Sequence, residues 1–252
     1  MTTTPSIEFV GVTKQYGSVT AVSNLSVSLR PGEVFCLLGT NGAGKTTTLH
    51  TIIGLKRPSA GEVRINGVSV HSPAIYDVRR TVGFVADVPD LYDYLTGREM
   101  LQFVAELYRI PGDVPARIDE WLHRFDLSAD ADKLTKTYSL GMRKKVAVAA
   151  AFLYDPQILV LDEPTGALDA ASARLVKDLL KEARDAGKIV LFTTHVMEIA
   201  ERVADRIAII HKGRLIADGS PDTLLRERGL PGDTLEDLFL RLTAGAPAGT
   251  VV

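Results

Sequence analysis

Residues 39–47 read Gly39-Thr40-Asn41-Gly42-Ala43-Gly44-Lys45-Thr46-Thr47, and the rest of the fold can be worked outward from them. A glycine, four residues and then Gly-Lys-Thr is the spacing of a loop that wraps a phosphate. Its glycines let successive backbone N–H groups turn toward one anion with no Cβ in the way. The apolar run Val34-Phe35-Cys36-Leu37-Leu38 enters the loop as a buried strand, and residues 46–53 leave it as a helix. That helix start adds its partial positive charge to the loop. Lys45 is placed to reach the β- and γ-phosphates of a nucleotide, and the Thr46 hydroxyl to ligate Mg²⁺. A glycine-rich turn can match such a pattern by accident, but strand before and helix after argue against accident here.

A second strand, Ile158-Leu159-Val160-Leu161, ends in Asp162-Glu163-Pro164. An aspartate at such a strand end holds the water shell of Mg²⁺ in phosphate-loop enzymes, which assigns that role to Asp162. Glu163 beside it can take a proton from the attacking water. The bland alternative is a solvated acidic turn, disfavoured by the phosphate loop upstream. A third strand at 189–193 runs into Thr194-His195, so His195 can hydrogen-bond the γ-phosphate and the water.

Short β-branched runs bounded by glycine and proline alternate with helical patterns, which predicts an α/β fold with a mainly parallel sheet. Residues 7–12, 21–29 and 61–65 read as antiparallel strands near the start. Residues 34–38, 81–85, 158–161 and 189–193 read as buried parallel strands, and 206–211 with 214–217 as a hairpin. Between about 91 and 151 strand signals vanish. Leu101, Val104, Ala105 and Tyr108 repeat at helical spacing, and Ile118, Leu122 and Phe125 continue it. This predicts a helical subdomain inserted into a core of 1–90 and 152–230, followed over 231–252 by a short helix at 235–242 and a flexible tail from 244.

Composition narrows the partners. The 252 residues are 46% hydrophobic and 24% charged, with formal net charge -2, so no large basic field suits nucleic acid. The single cysteine, Cys36, sits in an apolar strand and reads as a buried structural thiol. No apolar stretch reaches the roughly 20 residues of a membrane span. The first residues lack an export signal. At a membrane, another chain would have to hold this one.

With these motifs in order, the sequence resembles the ATP-binding subunits of ABC transporters over about residues 7–228. The most diagnostic piece is Tyr138-Ser139-Leu140-Gly141-Met142, which resembles the ABC signature and is followed by Arg143-Lys144-Lys145. The resemblance implies ATP and Mg²⁺ as cofactors and a core of the phosphate-loop NTPase type with an N-terminal antiparallel subdomain. It implies a second nucleotide-binding chain, most simply an identical copy, whose bound ATP would meet Ser139, Leu140, Gly141 and Met142. It also implies a separate membrane permease, with the chain at the cytoplasmic face of the cell membrane. Gly166-Ala167-Leu168-Asp169 resembles the loop that crosses the dimer interface, and Tyr16 falls where an aromatic stacks on adenine; otherwise it is an ordinary loop tyrosine.

Two departures stand out. Leu140 replaces the first of the two usual signature glycines, and Ala86-Asp87 stands where the family carries glutamine. Asp87 can still hold Mg²⁺ or its water. An acid there, together with Tyr-Ser-x-Gly-Met, resembles the subgroup serving export permeases. The segment 87–94, with Val88, Leu91, Tyr92 and Tyr94, is apolar for a loop; it either folds under the domain or stays exposed as the groove where a permease helix docks. A soluble ABC ATPase acting on ribosomes or DNA is the alternative, disfavoured by the single cassette and the net charge. A GTPase is disfavoured because none of Asn24, Asn41 and Asn66 is followed by lysine.

Overall fold

The computed structural model describes residues 6–230 and 232–244. The chain opens with β1 (Ile7–Tyr16), β2 (Val19–Leu29) and β3 (Glu33–Leu38), then α1 (Lys45–Ile52), β4 (Ala60–Ile65), β5 (Val68–Ser69), α2 (Ile75–Arg79) and β6 (Val82–Val85). Three helices follow: α3 (Gly97–Tyr108), α4 (Val114–Arg124) and α5 (Leu140–Leu153). The chain returns through β7 (Ile158–Leu161), α6 (Ala170–Asp185), β8 (Ile189–Thr194), α7 (Met197–Val203), β9 (Arg206–His211), β10 (Arg214–Gly219), α8 (Pro221–Arg228) and α9 (Leu235–Ala244).

Two sheets result. One is antiparallel, in the order β2-β1-β4-β5; the other runs β10-β9-β3-β8-β7-β6 and is parallel except for the β9–β10 hairpin. All the strands expected from the sequence are present, and β1 and β2 run further than expected, to meet at Tyr16 and Val19. The tail expected from 244 onward lies, after Ala244, outside the described residues.

Period-two alternation explains why the parallel sheet is the middle layer. Val34, Cys36 and Leu38 face one core with Leu159, Leu161, Val190 and Phe192, against α5, α6 and α7. Phe35 and Leu37 face the other with Ile158, Val160, Ile189 and Leu191, against α1 and the antiparallel sheet. Strands buried on both faces read as unbroken apolar runs, as these do. Burial also pushes the Cys36 thiol well above its usual range, which keeps it an inert core group.

The helices between β6 and β7 start at side-chain caps. Thr96 and Glu99 form a reciprocal capping box for α3, Asp113 caps α4 at the Ala116 N–H, and Ser139 caps α5 at the Met142 N–H. Each such cap contributes about 1 kcal/mol. The apolar loop after β6 divides between its two possible fates. Leu91 is only 7% exposed and joins the core, whereas Val88, Tyr92 and Tyr94 remain on the surface, Tyr92 edge-on to Phe103. Leu91 therefore drops out of the expected contact patch: its side chain belongs to the core cluster that α3 and α5 also line.

The two fates predict two different mutational costs. Leu91→Ala should destabilise the fold by about 2–5 kcal/mol, and Tyr92→Ala by no more than about 1.5 kcal/mol, the value of one aromatic pair. Denaturant midpoints would check this, and equal small shifts would contradict it.

Candidate active site

The loop 39–44 is held by its neighbours on three sides. Gly44 has φ 109°, and a Cβ there would lie 2.3 Å from the Ala21 carbonyl oxygen on β2. A Cβ on Gly39 would lie 2.6 Å from the Ile210 carbonyl oxygen on β9. The Gly213 N–H donates to the Ala43 carbonyl (2.9 Å), tying the β9–β10 hairpin to the loop. Within the loop the Ala43 N–H closes on the Thr40 carbonyl (3.1 Å), while those of Asn41 and Gly42 donate to no carbonyl among the described residues. Helix α1 begins with no side-chain cap and no acid in its first turn, so its positive end is left uncompensated. Thr46 is exposed there and Thr47 half-buried.

Lys45 folds back across this cradle. Its ammonium donates to the Gly39 (2.8 Å) and Thr40 (3.3 Å) carbonyls and lies 3.4 Å from Glu163 Oε1. Glu163 Oε1 also meets His195 Nδ1 at 2.9 Å. Glu163 has φ 44°, a left-handed conformation that costs a non-glycine residue on the order of 1–3 kcal/mol. Thr193 on β8 supports it. Its hydroxyl accepts from the Glu163 N–H (3.0 Å) and donates to Asp162 Oδ1 (2.5 Å), fixing both acids from one side chain. Asp162 is 1% exposed.

The start of α5 forms a second group. Ser139 is exposed and its Oγ accepts from the Met142 N–H at 3.2 Å. Leu140 points outward, so its side chain asks nothing of the core. Gly141 packs so closely that a Cβ would lie 2.7 Å from the Ala167 carbonyl oxygen. Ala167, at φ 61°, belongs to the loop that ends at Asp169. Asp169 caps α6 through the Ser172 N–H (2.8 Å) and pairs with Lys145 (2.9 Å); those bonds hold its carboxyl well below the usual range.

Lys45, Asp162, Glu163 and His195 thus come together at the C-terminal ends of the parallel strands. No hydrogen bond or ion pair among the described residues joins 139–142 to the loop 39–47. Tyr16 stands at the tip of the β1–β2 hairpin with Lys14 Nζ 5.1 Å from its ring centre. Asp87, past the end of β6, has Oδ1 3.7 Å from Lys144 Nζ. Thr193 and Lys144 were not singled out from the sequence. A polar residue closing an apolar strand was the only local sign of Thr193, and Lys144 lay hidden in a basic run.

The sequence matches the ABC transporter family over residues 22–166. It is 38% identical over 223 residues to the Nod factor export ATP-binding protein I of Ralstonia nicotianae, covering 88% of this chain and 69% of that protein. It is 38% identical over 232 residues to the daunorubicin resistance ATP-binding protein DrrA3 of Streptomyces coeruleorubidus, covering 92% of this chain and 72% of that one. The fold superposes with a TM-score of 0.77 on the ATP-binding cassette MJ0796, solved as a dimer in a post-hydrolysis state bound to ADP and Pi, at 27% identity over 85% of this chain and 98% of that one. This chain belongs to the ABC transporter family, as an ATP-binding, ATP-hydrolysing subunit.

Because Gly44 is both left-handed and pressed against Ala21, Gly44→Ala should weaken ATP binding at least about tenfold, which is 1.4 kcal/mol. Titration with a fluorescent nucleotide would measure it, and unchanged affinity would contradict the tight packing of the cradle.

Proposed function

We propose that two copies of this chain close around two ATP molecules and drive export through a separate membrane permease. The observation that carries the reading is the division of the phosphate-handling groups. Lys45, Asp162, Glu163 and His195 cluster at the C-terminal ends of the parallel strands, while the exposed cap Ser139 has no bond to the loop 39–47. Two copies placed head to tail would bring Ser139, Leu140, Gly141 and Met142 of one against the nucleotide of the other. The helix start at Ser139 then supplies N–H groups and a hydroxyl to the γ-phosphate. The dimeric MJ0796 cassette supports pairing, and the export and resistance relatives support the direction of transport.

Within each site the residues divide the work. Backbone N–H groups of 39–47 and the Lys45 ammonium bind the phosphates, and Tyr16 offers its ring to the adenine. Glu163 takes a proton from the attacking water, with His195 holding the carboxylate in place through Nδ1. The donor set suits Mg²⁺: the Thr46 hydroxyl and the Asp162 and Asp87 carboxylates are hard oxygens. Among the described residues no group of three or more His, Cys, Asp or Glu could hold a metal alone, so in this reading nucleotide oxygens complete the shell. Bound there, Mg²⁺ would neutralise charge on the phosphates.

No helix among the described residues is long and apolar enough to cross a membrane. In this reading the helices over 91–151 form a subdomain set on a nucleotide-binding core, and the chain sits at the cytoplasmic face of the membrane through its permease. The exposed Val88, Tyr92 and Tyr94, with Phe103 edge-on to Tyr92, supply the surface for a permease helix.

Glu163→Gln keeps the shape of the side chain and removes the base. It should retain ATP binding, lose about 10²–10⁴ in turnover, and elute as an ATP-dependent dimer in size-exclusion chromatography. Near-normal ATPase activity would overturn the assignment of Glu163.

A further inference from the structure

One strongly placed charge takes no part in the chemistry above. Lys144, in the second turn of α5, is 0% exposed. A lysine is almost never fully buried unless its ammonium is paired. Here the three N–H donors of the ammonium face three main-chain carbonyls: Asp87 (2.5 Å), Ala86 (2.9 Å) and Asp162 (3.3 Å). The Asp87 carboxylate adds a weaker attraction at 3.7 Å. Burial pushes the ammonium below the ordinary lysine range, and the carboxylates of Asp87 and Asp162 oppose that shift.

The placement of these acceptors matters more than their number. Ala86 and Asp87 follow β6, Asp162 ends β7, and the lysine itself rides on the helix that Ser139 caps. One side chain therefore joins three separate segments, and the acceptors are main-chain atoms whose positions no rotamer change can alter. The residues on either side extend the same pattern. Arg143 donates to Asp93 Oδ1 (3.0 Å) and to the Thr135 carbonyl (3.1 Å), while Lys145 holds Asp169.

We propose that Lys144 is a positioning residue that clamps the loop after β6 to the end of β7 and to α5, and so sets the placement of Asp87, Asp162 and Ser139 relative to one another. The proposal rests on the roles given to those three residues under the proposed function.

Lys144→Met keeps the length of the side chain and removes every donor. Hydrogen–deuterium exchange on the full chain should then quicken by at least about tenfold at residues 86–94, with the loop 39–47 unchanged. ATP affinity should stay within about twofold while kcat falls at least about tenfold. Lys144→Arg, which keeps donors for the same carbonyls, should restore both exchange protection and most of kcat. Unchanged exchange at 86–94 with kcat within twofold of the parent would overturn the proposal. Uniform quickening across the chain would also overturn it, since Lys144 would then serve only overall stability. If Lys144→Met does not fold, the same comparison in Lys144→Gln decides between selective and uniform loss. The exchange pattern is read without turnover, so it stands or falls separately from the trapping of a Glu163→Gln dimer.

Discussion

The backbone ladder joining β3, β8, β7 and β6 is the constraint on which the site depends. In that register Leu38 pairs with Thr194, Leu161 with Phe192, and Val85 with Leu161. The four strands therefore finish within a few residues of one another. The next residues out are Gly39, Asp162, Ala86-Asp87 and His195. A slip of one residue would turn Val34, Cys36 and Leu38 onto the opposite face and move the acids off the edge, so burial on both faces protects the register. The chemistry occupies the ends of a buried sheet, where the supporting backbone is least free to move.

Around that edge the charges are held in pairs. Glu163 accepts a strained backbone in return for reaching both Lys45 and His195, and the Thr193 hydroxyl steadies it together with Asp162. Helix α5 carries three consecutive cations: Arg143 and Lys144 both bind the loop after β6, Lys144 also reaches the end of β7, and Lys145 binds Asp169. Through them the loop carrying Tyr92 and Tyr94, the strand end at Asp162 and the exposed Ser139 are joined by a single helix.

Local chemistry explains how much was legible beforehand. The phosphate loop, the Asp162-Glu163 strand end and the unbroken apolar runs of the parallel strands are visible in single short segments, because neighbouring residues carry the whole signal. Ser139 is reached only through the resemblance of residues 138–142 to a family signature, and its capping of α5 comes from the structure. Thr193 could not be read this way: its value lies in reaching Asp162 and Glu163 on the adjacent strand, 31 and 30 residues earlier in the chain. Arg143-Lys144-Lys145 reads as one basic run, yet Lys144 is buried and its neighbours are tied down, an outcome set by which loops fold against α5. Leu91 and Tyr92 are adjacent and both apolar; only the packing of α3 and α5 separates the one that is buried from the one that is exposed.

The central claim is that each ATP lies between Lys45 of one copy and Ser139 of another. It is tested most directly by counting nucleotide trapped per dimer in heterodimers that carry Glu163→Gln throughout. With Lys45→Ala in one chain and Ser139→Ala in its partner, both lesions fall in the same site, and one ATP should be trapped. With both lesions in one chain beside an otherwise unaltered partner, each site is damaged once and trapping should fall toward zero. Equal trapping in the two arrangements would contradict the shared site.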